Sequence, residues 1–330
     1  LQNRTQDLMY ILREGFSHDV ANIGHPMLFA HTYVGTKKII EDYIDEVSNS
    51  LAFIASESCQ ALCHESKRKF FENCEKAYGQ PALMFSGGAT LGLFHSGVCK
   101  ALMEQDLMPK VLSGSSAGAI MTAMLGVNEP GEIPNLLSGD QFYSEAFHFR
   151  SFKELIKGNG GFADVRYLKK FLVENLGDVT FQEAFEKSGL DINVTVAPYD
   201  VSQEDVRIMN KYTSPDLLVW SAVLASCAVP VLFPPVRLIS KRYDGVHTPY
   251  LANTRWVDGS VRNDFPQERM SRLYNLNYTI ASQVNPHIVP FMQNDEERYR
   301  RDLLSWPERI VRSQGRMAAM GIMDFARGRM

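Results

Sequence analysis

The sequence predicts an α/β protein with a mostly parallel sheet in a three-layer α/β/α core, preceded by a helical N-terminal region. Two short apolar runs, residues 82–85 and 111–113, each end in a glycine-containing turn that is followed by a helical pattern. Strand, turn and helix in repeated order require crossover connections and therefore parallel strands. Residues 1–80, by contrast, show only helical periodicity. These observations separate a leading helical region from the α/β core.

The helical region is predicted to be scaffold, because nothing in it has the spacing of a catalytic site. A first helix runs on from residue 40, with apolar side chains every three or four positions and charged side chains opposite. A second helix is predicted over residues 57–78. The apolar positions of the first helix predict one buried stripe, formed by Ile40, Tyr43, Ile44, Val47, Leu51 and Ile54.

Later elements follow from the same signals. Residues 127–162 are rich in glycine and proline and are interpreted as a connection that borders the site, either as a lid or as an inert loop. A helix is expected over residues 163–176, and the Thr180 to Glu183 spacing indicates a capping box that begins another. Alternating β-branched residues at 191–197 predict a strand, and residues 278–284 a late one.

The longest uncharged stretch, residues 217–236, approaches membrane-spanning length. It contains Pro230, Pro234 and Pro235, which are incompatible with a continuous helix. We therefore expect a buried helix over residues 217–227 and an extended segment after it, not a transmembrane span.

Composition and charge narrow the function classes. The 330 residues carry a net charge of −4, so no basic domain supplies the phosphate-neutralising contacts of a nucleic-acid-binding protein. Five cysteines, an odd and sparse number, indicate reduced thiols and an intracellular, cytoplasmic setting. Cys59 and Cys63 are interpreted as buried thiols, since no second pair supports a metal site.

Residues 114–118 form a G-x-S-x-G pattern at the end of the second apolar run. In this pattern a strand turns sharply into a helix and holds the central serine, here Ser116, at the tip of the turn. Small residues are needed on both sides because the two backbones approach closely. The pattern arises by chance about once in ten chains of this length. Its meaning therefore depends on the residues around it.

A second glycine turn, which begins at Ser86, follows the first apolar run. The backbone N–H groups of Gly87, Gly88 and Ala89 could converge on an oxyanion, assisted by the N-terminus of the following helix. A phosphate-binding loop is the competing interpretation. No Gly-Lys-Ser/Thr follows, and the spacing fits no nucleotide-binding fingerprint, so an oxyanion site is favoured.

A serine nucleophile needs a base, and the pattern alone leaves two candidates open. His287 would complete a Ser-Asp-His order. Asp258 follows an apolar pair and precedes a glycine, which would present its carboxylate at a strand end, although Asp-Gly is ordinarily a surface turn.

The glycine turn, the elbow and the later Asp-Gly-Ser, in this order, resemble the patatin-like phospholipases and lipases. Residues 225–235 (Ala-Ser-Cys-Ala-Val-Pro-Val-Leu-Phe-Pro-Pro) are also similar to that family, and the resemblance covers roughly residues 82–285. The helical leader and Ser-Gln-Val-Asn-Pro-His look most like the intracellular triacylglycerol lipases of fungi and plants, with bacterial relatives. The resemblance implies a patatin-like catalytic domain over residues 81–285, between a helical region (1–80) and a C-terminal segment (286–330).

The same resemblance implies a Ser–Asp dyad in which Ser116 is the nucleophile and Asp258 its general base. Gly87, Gly88 and Ala89 would form the oxyanion hole, and no metal or organic cofactor is expected. The implied activity is hydrolysis of fatty-acyl esters of glycerolipids, with triacylglycerol favoured, through an acyl-serine intermediate. The alternatives are a Ser-Asp-His esterase that uses His287 and a catalytically silent lipid-binding or scaffold protein.

Two positions depart from the family pattern. The turn commonly carries Arg or Lys where this chain has Leu91, and a third Gly where it has Ala89. Loss of the cation favours neutral glycerolipid esters over phosphate-bearing ones. The His-x4-Asp motif of acyltransferase relatives is absent, because none of the eight histidines has Asp five positions on.

The C-terminal segment, residues 286–330, is predicted to be helical and basic. From residue 298 onward it carries eight arginines and three acidic residues, for a net charge of +5. A basic amphipathic helix can lie in an anionic interface, which predicts peripheral association with a membrane or lipid droplet. A helix packed on the domain with solvated arginines is an equal alternative.

Overall fold

The computed structural model describes residues 2–17, 19–20, 23, 25, 28, 35–138, 165–200, 206–230, 233–260 and 262–285. The predictions for residues 139–162, for His287 and for the segment 286–330 lie outside these ranges. The chain divides into two compact units. The first extends to Ala82 and includes Gln267–Thr279, whereas the second comprises Leu83–Pro266 and resumes at Ile280.

The first unit begins with helices, as predicted, and with two very short paired strands. A small apolar core contains Ile54 and Phe70, both fully buried. Its described elements up to residue 78 are α1 (Gln2–Gly15), β1 (Phe16–Ser17), β2 (Asp19–Val20), α2 (Lys38–Ala55) and α3 (His64–Tyr78).

Three predictions for this region are wrong in detail. The apolar stripe of α2 is buried at Ile40 and Ile54 and half-buried at Val47 and Leu51, which pack on the small core, but Tyr43 and Ile44 are 39% and 47% exposed. Helix α3 begins at residue 64 rather than 57, after a series of turns. Cys59 is buried as expected, whereas Cys63 lies exposed immediately before α3.

The strand–turn–helix pairs that predicted the α/β class are present. Strand β3 (Gln80–Phe85) leads through the glycine turn and a short 3₁₀ helix to α4 (Phe94–Glu104). Strand β4 (Val111–Gly114) leads through the elbow to α5 (Ala117–Val127).

The next elements pack around this core. A short helix, α6 (Ile133–Ser138), lies inside the predicted connection, and α7 (Val165–Leu176) follows. Helix α8 (Phe181–Ser188) begins with the predicted capping box: the Thr180 hydroxyl accepts from Glu183 N, and the Glu183 carboxylate accepts from Thr180 N. The remaining elements before residue 260 are β5 (Asp191–Pro198), β6 (Arg207–Met209), α9 (Val219–Ser226), β7 (Leu238–Lys241), β8 (His247–Tyr250) and β9 (Trp256–Asp258).

The last described elements are α10 (Gln267–Tyr274) and β10 (Leu276–Ser282). The main sheet has the order β10-β3-β4-β5-β6, and β9 also pairs with β5. Strands β4 and β5 are parallel, whereas β6 and β9 run antiparallel to β5. The carboxyl ends of β3 and β4, where the two turns lie, are joined by a hydrogen bond from Ser115 N to Phe85 O. Strand β10 runs parallel to β3, since Gln80 N donates to Asn275 O near one end and Ser86 N donates to Ser282 O at the other. The sheet is thus mixed, with parallel neighbours along β10, β3, β4 and β5, which confirms the predicted α/β class.

Helix α9 confirms the buried helix predicted after residue 217, since every residue of it is buried. Helices α5 and α9 both pack on β5. Among the helices that the structure describes, none is long and apolar enough to cross a membrane.

Candidate active site

The elbow between β4 and α5 places Ser116 in a strained conformation. Its φ is 51° and its ψ is −118°, a region that non-glycine residues rarely adopt. Such a conformation costs about 1–3 kcal/mol and persists only where the surrounding structure enforces it. Here the Ser116 N–H donates to the Ser226 hydroxyl at 2.9 Å, and that hydroxyl donates to Thr195 O at 2.7 Å. The elbow is therefore tied to α9 and β5.

Both glycines of the elbow are required by close backbone approach. A Cβ on Gly114 would lie 2.2 Å from Gly118 O, and a Cβ on Gly118 would lie 2.4 Å from Phe85 O. Neither contact can be relieved by rotating a side chain, since both involve backbone oxygens. The G-x-S-x-G pattern thus has the physical cause that the sequence predicted.

The glycine turn after β3 lies next to the elbow. A Cβ on Gly87 would be 3.3 Å from Ser116 Cβ, so the absence of a side chain at Gly87 lets the turn approach the serine. Gly88 has a φ of 153°, and Ala89 has a φ of 49°. Ala89 therefore occupies a left-handed conformation that glycine adopts more readily than alanine.

The N–H of Gly87 is already engaged, because it donates to Asp264 Oδ1 at 2.9 Å. By contrast, no acceptor among the described residues takes the N–H of Gly88 or Ala89. All three predicted residues lie at the turn, and within the described part of the chain the last two keep an N–H that has no acceptor. No sequence pattern indicated Asp264, since the turn and this carboxylate are 177 positions apart.

Asp264 connects three parts of the site. Its Oδ1 holds Gly87, its Oδ2 accepts from Asn285 Nδ2 at 2.5 Å, and its main-chain oxygen accepts from the Ser115 hydroxyl at 2.9 Å. The glycine turn, the elbow and the segment after β10 therefore meet at one residue.

Asp258 lies at the end of β9, opposite Val196 of β5, and is 1% exposed. Its Oδ1 accepts from Ser260 N at 2.7 Å, whereas its Oδ2 is buried and has no hydrogen-bond partner among the described residues. A Cβ on the next residue, Gly259, would lie 2.8 Å from Thr195 Cγ2 of β5. The Asp-Gly pair is therefore packed against the sheet and does not form a surface turn.

Burial raises the pKa of Asp258 to about 7, while the hydrogen bond from Ser260 and the nearby Ser116 hydroxyl oppose the shift. The Ser116 hydroxyl lies close enough to the carboxylate to lower its pKa, although no hydrogen bond of normal geometry joins the hydroxyl to Oδ2. A carboxylate with a pKa near neutrality and a free oxygen can accept the proton of an adjacent hydroxyl. The predicted nucleophile and base are thus brought together.

Residues 226–228, at the end of α9 and just after it, contact Ser116 and Asp258. Ser226 anchors Ser116, and Ala228 O accepts from Asp258 N at 3.0 Å. The Cys227 thiol lies between them, next to both Ser116 and Asp258, and burial raises its pKa, so it stays protonated and unreactive. The sequence showed residues 225–235 only as similar to a family. In the structure Ser226 and Ala228 hold the backbones of Ser116 and Asp258 by hydrogen bonds.

His95 is a structural residue of the turn. The Nε2 of His95 lies 3.0 Å from Ser86 O, and because a carbonyl oxygen can only accept, Nε2 carries the proton and donates it. The Nδ1 of His95 then accepts from the Ser282 hydroxyl at 2.7 Å. Burial lowers the pKa of His95, which keeps it neutral. Within the described part of the chain, no group of three or more His, Cys, Asp and Glu side chains is placed to hold a metal ion.

A mostly parallel α/β sheet with a serine elbow, an adjoining glycine turn and a buried carboxylate defines the class of α/β proteins with a nucleophile-elbow site. The profile of the family described as patatin-like phospholipase matches residues 83–270. The chain belongs to the patatin-like phospholipase family. Residues 1–76 match a domain of unknown function, DUF3336.

Curated relatives agree with this membership. Triacylglycerol lipase 4 of Saccharomyces cerevisiae is 36% identical over 307 residues, which cover 89% of this chain and 33% of the relative. Triacylglycerol lipase 5 of the same yeast is 36% identical over 310 residues, which cover 87% of this chain and 40% of the relative. The chain therefore spans little more than a third of the length of these relatives. Among solved structures, VipD from Legionella pneumophila aligns with a TM-score of 0.39 at 15% identity, over 68% of this chain and 52% of that one.

Proposed function

We propose that this chain is a serine acyl hydrolase that cleaves fatty-acyl esters of glycerolipids. The observation that carries the proposal is the position of Ser116, strained at the elbow tip beside a buried carboxylate with a pKa of about 7 and next to a turn with two free N–H groups. Each part has a task in acyl transfer, and the family membership supports the same chemistry.

The first half of the reaction forms an acyl-serine. Asp258 Oδ2 accepts the proton of the Ser116 hydroxyl as Oγ bonds to the ester carbonyl carbon. The carbonyl oxygen becomes an oxyanion, and the N–H groups of Gly88 and Ala89 stabilise it. When the intermediate collapses, the ester C–O bond breaks, and Asp258 returns its proton to the departing alcohol of the glycerolipid.

The second half repeats these steps with water. Asp258 takes a proton from a water molecule, whose oxygen attacks the acyl carbon, and the tetrahedral intermediate expels Ser116 Oγ. The proton passes back to the serine, and a fatty acid leaves. One carboxylate therefore acts twice as base and twice as acid, which a pKa near the working pH permits.

The oxyanion hole proposed here uses Gly88 and Ala89 as donors and gives Gly87 a spacing role. Donors aimed at a developing oxyanion contribute about 3–4 kcal/mol each where measured. The short 3₁₀ helix that begins at Ala89 adds the positive end of its backbone dipoles at the same place.

The proposed substrate is triacylglycerol. Relatives named triacylglycerol lipase support this choice, as does Leu91 at the place where the family commonly carries a cation. We assign the catalytic role to residues 81–285 and a scaffold role to residues 1–80. The basic segment 286–330 would bring an intracellular, cytoplasmic enzyme to the surface of a membrane or lipid droplet.

Labelling with a fluorophosphonate probe tests the nucleophile directly, because the probe forms a covalent bond only with an activated serine. We expect one adduct, on Ser116, that is lost in Ser116→Ala and retained in Ser96→Ala, whose hydroxyl donates to Leu93 O. An unlabelled wild-type protein would instead support a catalytically silent lipid-binding role.

A comparison of two variants, His287→Ala and Asp258→Asn, distinguishes the Ser–Asp dyad from a Ser-Asp-His triad. The dyad predicts that His287→Ala keeps most of the acyl release from triolein, whereas Asp258→Asn abolishes it. Equal losses in the two variants would support the triad.

A further inference from the structure

An open apolar groove lies on the outer side of α4, next to the glycine turn. Its volume is about 740 Å³, within the range of roughly 300–1,000 Å³ typical of small-molecule sites. One wall is the helix face with the spacing i, i+3, i+4, i+7, and the other is the end of β10 with the residues after it. The apolar lining consists of Leu91, Phe94, Gly97, Val98, Ala101 and Val284.

Both walls of the groove begin at the glycine turn. Leu91, on the helix side, donates its N–H to Gly88 O at 3.0 Å. On the other side, Val284 packs so closely on Gly88 that a Cβ there would lie 2.6 Å from Val284 Cγ2. The groove therefore starts at the residue to which we assign an oxyanion donor.

The lining suits a neutral hydrocarbon rather than a polar head group. The described residues that line the groove carry no charge, and the polar ones are Ser282 and Gln283. The Ser282 hydroxyl is already used by His95. Phe94 is nevertheless 69% exposed, which leaves a large apolar ring in water unless something covers it. From Phe94 to Ala101 the helix rises about 10 Å, enough for several methylene groups of an extended chain.

We propose that this groove, lined by residues 91–101 and 282–284, holds the fatty-acyl chain of the ester that Ser116 attacks. The inference rests on the proposed function and extends it by assigning the acyl subsite. A bound chain would cover Phe94 and Leu91, and its carbonyl end would lie at the glycine turn. Each methylene buried there adds up to about fourfold in affinity, so the enzyme would prefer longer chains until the groove is full.

Gly97 offers a way to fill the groove without disturbing the fold. A Cβ at this position would meet no atom within 4 Å, and leucine is a better helix former than glycine. Gly97→Leu therefore adds a branched side chain to the groove. Gly131→Leu is the matched control, because Gly131 is equally open and lies outside the groove.

The test has one catalytic and one binding readout. We expect Gly97→Leu to lower the ratio of kcat/KM for p-nitrophenyl laurate over p-nitrophenyl butyrate by tenfold or more, whereas Gly131→Leu leaves the ratio within twofold. Laurate binding to the Ser116→Ala protein, measured by calorimetry, should weaken by tenfold or more when Gly97→Leu is added.

Laurate affinity that Gly97→Leu leaves unchanged would overturn the groove assignment, as would an unchanged ester ratio. If neither ester is hydrolysed by the wild-type protein but laurate binding still depends on Gly97, the proposed function is wrong and the lipid-chain site is supported. The two failures are thus distinguishable.

Discussion

At the scale of single residues, burial raises the pKa of Asp258, the proposed base. A carboxylate that is 1% exposed and has one unpartnered oxygen is unfavourable in its charged form, so its pKa rises to about 7. The same oxygen is the one that can accept the Ser116 proton. Burying the charged form of Asp258 lowers the stability of the fold, and it also raises the affinity of the carboxylate for the Ser116 proton. Two predictions follow, one for activity and one for stability.

The first prediction concerns the pH dependence of activity. Because only the deprotonated carboxylate can accept a proton, log(kcat/KM) should rise with a slope of one below pH 7 and level off above it, with an apparent pKa of about 7. Steady-state kinetics with a soluble short-chain ester between pH 4.5 and 9 measures this. A plateau that begins near pH 4 would show that the base has an ordinary carboxylate pKa.

The second prediction concerns stability. The folded-state pKa of Asp258 lies above the unfolded value of 3.8, so the folded protein binds the proton more tightly. The resulting stabilisation is complete below about pH 4 and is lost as the pH rises through 7. Asp258→Asn removes this loss and should raise the free energy of unfolding at pH 8, by at most about 4 kcal/mol.

Thermal unfolding of Asp258→Asn and of wild type at pH 8 and pH 4 measures this effect. The difference should shrink towards the lower pH, since both proteins are then neutral at this position. A variant that is equally destabilised at both pH values would contradict the account.

At the scale of elements, the glycine turn is held rather than free. Asp264 takes the first N–H, and Val284 packs against Gly88. His95 and Ser86 fasten the strand ends: the Ser86 hydroxyl donates to Gly87 O and accepts from Val284 N. Oxyanion donors act through preorganisation, so the supports should matter for rate more than for substrate binding.

Asp264→Ala should therefore lower kcat by about tenfold to a hundredfold, with a small change in KM, because the Gly87 N–H loses its acceptor and the turn can relax. Asp264→Asn keeps an oxygen that can accept from Gly87 N–H and should restore part of the rate. Steady-state kinetics of the pair decide the matter. An equal loss in both variants would point to the charge of Asp264 rather than to its hydrogen bond.

Ala89 provides a test of strain in the same turn. A left-handed φ of 49° is unfavourable for alanine and acceptable for glycine. Ala89→Gly should thus raise the free energy of unfolding by about 1 kcal/mol, as measured by denaturant titration. A decrease would show that the strain is balanced by the higher backbone entropy of glycine in the unfolded chain.

At the scale of the whole molecule, the sequence predicted what depends on local pattern. The elbow, the capping box at Thr180 and the strands before each turn were all indicated by residues close in sequence. Strand β9 was expected only through the apolar pair before Asp258. The contribution of Asp264 could not be predicted, since it depends on a hydrogen bond between residues 177 positions apart. The exposure of Tyr43 and Ile44 was missed because periodicity shows which residues share a face, not what covers it.

The same distinction holds for the site. Residue types indicated Ser116 and the glycine turn, because a strained elbow and a close backbone approach restrict the residues that fit. They left Asp258 and His287 both open as the base, and only the family resemblance favoured Asp258. Which N–H of the turn is free, and which oxygen of Asp258 lacks a partner, depend on the packing of β5, α9 and the segment after β10. The proposed mechanism depends on those details, and they cannot be predicted from the motif alone.

The central claim is that Ser116 and Asp258 together hydrolyse glycerolipid esters. The most direct test is oleate release from emulsified triolein by the purified wild-type protein and by Ser116→Ala. We predict release by wild type and a rate in the variant at least about a thousandfold lower, since removal of a nucleophile leaves only the contributions of binding and of the oxyanion hole. Undiminished release by Ser116→Ala would contradict the claim.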